Sequence, residues 1–265
     1  MQHYLFTLLT AVFLQITGVL GIFFLIGFVL SKLQFYTQHI YYKTLGWKGI
    51  LWTGWIGTPI HELGHVFFAK LFHHRIDGIH IFEPHEATGN LGHVDHAYNP
   101  KSLYQRVGNF FIGAAPMIWG AILLVTFLYF FVPNGKDIFA PLTVEQNSFS
   151  HFLSQLGRTL THMFAKENIM AWNFWLFLYL SFSIASHMAP SDRDLKNMWK
   201  GFFWIVLMVI IVNALTLALG ANITSYVLNL TQYLNIFTAI FVYAVVLSLV
   251  HLILASIVLL PFRKR

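Results

Sequence analysis

The stretch Thr58-Pro59-Ile60-His61-Glu62-Leu63-Gly64-His65 sets His-Glu-x-x-His inside an oily segment. Residues four apart share a helix face, so His61 and His65 can present two imidazoles to one metal ion, with Glu62 beside a water held there. In a soluble helix the pattern would say little, because two histidines on a solvated face read the same way. Here the flanks, Gly49 to Gly57 and Val66 to Phe72, are almost wholly apolar. An ionisable residue at membrane depth is costly unless it is paired or liganded, so the setting favours a metal site and the chemistry of a hydrolase.

The wider composition says what kind of chain surrounds the motif. Its 265 residues are 57% hydrophobic and only 10% charged, and it has no cysteine; the mean hydropathy is positive. That is too apolar for a soluble domain of this size. The expected fold class is an all-α polytopic membrane protein with about six transmembrane helices and a small β-hairpin between the second and third. Without cysteine there is neither a disulfide nor a thiolate zinc site, which leaves histidine and carboxylate as ligands. The formal charge of +6 comes from basic residues at the ends of apolar runs, where the positive-inside rule puts them. The expected partner is therefore the lipid bilayer and not nucleic acid.

Outward from the motif, residues 1–265 read as a single membrane domain. Residues 1–48 are a first transmembrane helix, Leu5 to Leu30, and an aromatic interfacial connector. With no basic residue before it, that first run reads as a span and not as a cleavable signal. Residues 49–196 are a three-helix core with spans at Gly49–Phe72, Leu103–Val132 and Ile169–Met188. Residues 197–265 hold two further spans, Gly201–Leu219 and Ile236–Leu260. Thr58-Pro59 has the form of an N-cap and first-turn proline, which predicts a break just before His61. Ile76–Phe82, the turn residues Thr88-Gly89-Asn90, and Leu91–His96 predict the hairpin, lying beside the motif. Its loop holds His73, His74, His80, His85, His93 and His96; these invite a second metal, but interfacial histidines without a ligand role are the better reading. Phe149–Phe164 has amphipathic character.

Two histidines from one helix need a third ligand from elsewhere. The candidates are His187, Asp192 and Asp194, at the end of the fourth span. Ser191 with acids after it also reads as a helix start, N-cap and dipole together. Six spans would put both termini on one side, and Arg263-Lys264-Arg265 make that side the cytoplasm. Spans two and four then run parallel and bring their motifs to the same depth, toward the cytoplasmic face of what is expected to be a bacterial plasma membrane.

On these residues the chain resembles the site-2 protease family of intramembrane zinc metalloproteases. The resemblance covers roughly Gly49 to Lys196: His61-Glu62-Leu63-Gly64-His65, the small-residue stretch Gly113-Ala114-Ala115-Pro116, and Pro190 to Asp194. It implies a zinc endopeptidase in which Zn2+ is held by His61, His65 and Asp194, Glu62 is the catalytic base, and the substrate is a membrane protein cut in or near its transmembrane segment. Asp194 is favoured because the family's ligand stands several residues beyond its proline, and because Asp192, next to Ser191, is better placed to serve the helix N-terminus. The family's third element is an Asn-Pro stretch ending in Asp-Gly, whereas here no Asn precedes Pro190 and Leu195 follows Asp194. No insert is large enough for a PDZ domain. Two other readings stand beside this one, a di-metal membrane desaturase or hydroxylase and a catalytically inactive relative that only binds. The first calls for several His-rich boxes of the type His-x-x-His-His, which are absent; the intact triplet of His61, Glu62 and His65 argues against the second.

Overall fold

The computed structural model describes residues 2–138, 149–230 and 235–262. In chain order the elements are α1 (Gln2–Leu45), α2 (Trp47–Leu71), β1 (Arg75–His80), β2 (His93–Ala97), α3 (Leu103–Phe131), α4 (Phe149–Met163), the short α5 (Lys166–Ile169), α6 (Trp172–Ala185), α7 (Asp192–Ala218), α8 (Thr224–Leu230) and α9 (Asn235–Leu259). Among the described residues, four helices, α1, α3, α7 and α9, are long and apolar enough to cross a membrane. This fits a membrane protein, with the small antiparallel hairpin as its sheet. The count of about six spans is not reproduced. In α2 the motif and its glycines dilute the apolar residues, and α6 has 14 residues, about 21 Å at 1.5 Å per residue against a hydrocarbon core of about 30 Å.

The contacts between helices give their directions. Gly64 of α2 faces Ala115 and Trp119 of α3, while Phe72 faces Gly108, so α2 and α3 are antiparallel. Along α6, the Tyr179 hydroxyl donates to the Trp52 carbonyl at 2.9 Å, and Ser183 and His187 meet Gly57; α6 runs parallel to α2. In α7, Asp194 and Met198 lie against Gly113, Gly201 lies against Phe110, and Arg106 stands over the Trp204 ring at 4.2 Å. These make α7 antiparallel to α3. The expected reversal between the fourth and fifth spans is therefore absent: α6 and α7 point the same way, and residues 186–191 interrupt one path through the bundle. Phe23 meets Phe241 and Tyr41 meets His251, so α9 runs parallel to α1 and ends away from the hairpin's root. The tail residues 263–265, on which the expected placement of both termini leaned, lie outside the described residues.

Two local expectations are corrected. The connector 32–48 is not irregular, since α1 continues as helix to Leu45. Interfacial aromatics do not break a helix when their inner face packs, and Thr37, Tyr41 and Thr44 are buried there. The chain turns only at Gly46, whose φ of 71° is the left-handed conformation glycine adopts without a Cβ clash. Nor does α2 break at Pro59. Pro59 leaves the Trp55 carbonyl without its helical N–H partner, but side chains of a neighbouring helix can hold the adjoining turn. Here the Trp55 indole donates to the Tyr179 hydroxyl at 2.7 Å, which in turn holds the Trp52 carbonyl, bracing the turn before the proline.

The core lies between α1, α3, α6 and α9, with Leu30, Met117, Leu124, Leu128, Phe174, Phe177 and Tyr243 essentially sealed from solvent. Gly113 marks a close approach of α3 to the start of α7: a Cβ there would fall on the Asp194 carbonyl oxygen and Met198. Gly113→Ala is expected to lower stability by about 1–3 kcal/mol, the usual cost of overpacking, and to weaken metal binding by pushing Asp194 away from α2. Thermal unfolding in detergent and metal titration check this; an unchanged midpoint would contradict the contact.

Candidate metal centre

Helical spacing puts His61 and His65 one turn apart on α2, with ring centroids 4.9 Å from each other. Asp194, in the first turn of α7, completes the group. Its Oδ2 lies 3.4 Å from His61 Nε2 and its Oδ1 lies 3.2 Å from His65 Nε2. Ligands at 2.0–2.1 Å from a tetrahedral ion stand about 3.3 Å apart, so this spacing suits three corners of one coordination sphere. Among the described residues, this is the group of histidine and carboxylate side chains close enough to share a metal ion.

Each member is held from behind. His61 Nδ1–H donates to the His187 carbonyl at 2.7 Å, and His65 Nδ1–H donates to the Ile112 carbonyl at 2.8 Å. A carbonyl can only accept, so Nδ1 of each ring carries a hydrogen and Nε2 is the atom turned to Asp194, the outer support expected of metal-ligating histidines. Asp194 Oδ2 accepts from the Ser191 backbone N–H at 2.8 Å and from its hydroxyl at 2.7 Å, while Ser191 Oγ accepts from Asp194 N–H at 3.3 Å. This is a capping box. It corrects the expected division of labour: Asp194, not Asp192, serves the helix start while also facing the histidines, and Asp192 is exposed. His187 also stands outside the group. It is buried, its Nδ1–H donates to the Ser183 carbonyl at 3.1 Å, and it supports His61 through its own backbone.

Glu62 is 6% exposed and opens onto a cavity of about 910 Å³ together with His61, His65 and Asp194. The same cavity is lined by Ser31, Gln34 and Gln38 of α1 and by the hairpin, with His93 to His96 of β2 and the turn before them. The hairpin lies where the sequence placed it. Ile79 pairs with Val94 and Ile76 with His96, and an irregularity between Ile76 and Gly78 shifts the register. Gly92 packs on Thr58 at one end; His74 Nδ1 meets His96 Nδ1 at 3.0 Å at the other. The strands thus run along α2. His74 Nε2–H donates to the Gln105 carbonyl at 2.9 Å, which leaves Nδ1 of that ring to accept from His96. Burial, reinforced by the neighbouring His74, pushes the His96 pKa down to about 4. His80 stacks on His93 with centroids 4.4 Å apart and pairs with Glu83 at 2.9 Å, a hydrogen bond that raises its pKa. The loop histidines thus hold the hairpin to itself and to α3. Arg193 bonds Asp95 at 2.6 Å and ties the hairpin to α7.

Sequence reasoning missed one buried cluster behind the centre. His251 of α9 meets the Ser186 hydroxyl through Nδ1 at 2.6 Å and the Tyr41 hydroxyl through Nε2 at 2.9 Å. It thereby anchors the start of the interruption that carries the His187 carbonyl. The available signal was a lone ionisable residue inside the last apolar run. Compared with known proteins, the chain matches no family model, no curated protein and no solved structure, so the chemistry of this centre rests on its own geometry.

Proposed function

We propose that the protein is an intramembrane zinc metalloendopeptidase of the site-2 protease type, acting on membrane proteins in or near their transmembrane segments. The observation that carries this reading is Asp194 standing 3.2 and 3.4 Å from the two imidazoles of an intact His-Glu-x-x-His helix, beside a cavity that Glu62 lines. His61, His65 and Asp194 would hold the metal. Zinc, when bound there, supplies a Lewis acid and lowers the pKa of a coordinated water. Glu62 takes the proton of the attacking water and returns it to the leaving nitrogen. His187 and Ile112 keep the imidazoles aimed through their carbonyls, and Ser191 keeps the Asp194 carboxylate from turning away.

The hairpin offers a peptide a place to unwind. A helical backbone shields its own carbonyls, and strand addition replaces those hydrogen bonds while presenting one peptide bond to the centre. Residues of β2, and none of β1, line the cavity among the described residues, so β2 is the template proposed.

The protein is further proposed to sit in a bacterial plasma membrane with the cavity open to the cytoplasm. Lys70, Arg75, Lys101 and Arg106, which bracket the hairpin, support that side, since short loops follow their basic residues. Metal analysis of the purified protein is expected to find one zinc per chain. Two irons per chain would favour the oxygenase alternative; no metal under zinc-replete conditions would favour an inactive relative.

A further inference from the structure

The α1 helix carries no charge from Leu5 to Leu30, and then turns polar on one face: Ser31, Gln34 and Gln38 follow at intervals of three and four, the spacing of one helix stripe. That stripe lines the same cavity as the candidate metal centre and β2. The bundle treats the buried amide of α1, Gln15, differently from this half-buried stripe. Gln15 is matched in both directions by Asn213, at 2.9 Å each way. Gln34 has one bond, its Oε1 accepting from Ala189 N–H at 3.3 Å. This fixes its amide so that the Nε2 donors are left over. Among the described residues, Gln38 has no hydrogen-bonding partner for either end of its amide.

We infer that Gln34 and Gln38 bind the backbone of the substrate peptide, pairing with the strand edge that β2 does not reach. The inference rests on the peptidase reading. A peptide added to β2 has one edge satisfied by the hairpin and the other bare, and bare peptide groups are costly away from water. Two glutamines four residues apart on a helix are separated by about 6 Å along the axis. The groups on one edge of an extended strand repeat about every 6.7 Å, two residues at 3.3–3.4 Å each. β2 runs along α2, and α1 runs parallel to α3, since Phe23 meets Phe110 and Gly27 meets Met117; α3 is antiparallel to α2, so the strand and the glutamine pair run along roughly the same direction. Each amide has both a donor and an acceptor, as each peptide group does, so the pair reads backbone and tolerates any side chain. The ligand class is an extended polypeptide; a helix, its bonds closed internally, gains nothing from the pair.

The test uses full-length protein in detergent with two zinc-directed probes, acetohydroxamate and peptide hydroxamates of increasing length. In the wild type, lengthening from tripeptide to heptapeptide is expected to tighten binding by about tenfold, the gain from one or two net hydrogen bonds. In Gln34→Leu/Gln38→Leu most of that gain is lost and only the part supplied by β2 remains, while zinc content and acetohydroxamate affinity stay unchanged. Gln38→Leu alone, which breaks no bond within the protein, should lose about threefold of it. An equal gain with length in wild type and variants overturns the glutamine pair and leaves the peptidase reading standing. A wild type that holds zinc but shows no gain with length also overturns the pair. A wild type that binds neither zinc nor acetohydroxamate overturns both.

Discussion

Glu62→Gln is expected to abolish peptide hydrolysis while leaving the metal in place. Glu62 lies next to His61 in sequence but outside the group of atoms that converge, His61 Nε2, His65 Nε2 and the Asp194 oxygens, so the substitution removes no ligand. Glutamine has the same shape and remains an acceptor, but it cannot carry a proton between water and the leaving nitrogen. Loss of a positioned general base usually costs about 10²–10⁴-fold in rate. Cleavage of an unstructured polypeptide by purified wild type and variant, with zinc measured on the same samples, reads both quantities. Turnover within a factor of a few of wild type would end the assignment of Glu62 as base. Loss of zinc along with activity would instead make it part of the coordination sphere.

Asp194→Asn is expected to lose most of the bound metal and all activity, and Asp192→Asn to lose neither. The choice of asparagine matters because Asp194 has two duties. Alanine would remove the capping acceptor as well as the ligand, and loss of a cap alone costs about 0.5–2 kcal/mol. Asparagine keeps an oxygen for the Ser191 N–H and hydroxyl, which bond Oδ2 at 2.8 and 2.7 Å, so the start of α7 is preserved. The negative charge is what goes. A neutral amide oxygen is a much poorer zinc ligand than a carboxylate, whereas the exposed Asp192 carboxylate faces neither imidazole. Circular dichroism and thermal unfolding confirm that the fold survives, and zinc titration then reports the ligand. If Asp192→Asn strips the metal and Asp194→Asn does not, the carboxylate has been misassigned by two residues. If neither does, the third ligand lies elsewhere.

Much of the molecule was readable because the information is local. The helix bearing His61 and His65, the long apolar helices α1, α3 and α9, the hairpin turning at Thr88-Gly89-Asn90 and the helix start at Ser191 all follow from spacing, capping and turn chemistry over a few residues. What only the tertiary structure decided depends on elements far apart in the chain. The direction of α7 after α6 is one such case: an apolar run has the same periodicity whichever way it points, and contacts at Gly113, Gly201 and Trp204 decide it. The continuity of α2 through Pro59 is another, since the helix is braced by Tyr179 from a different helix. Asp194 could be picked from its neighbours only when α3 and α7 closed on each other over a glycine and brought its carboxylate to imidazoles held by the backbones of Ile112 and His187. Local periodicity sets what a residue can do, and long-range packing sets what it faces.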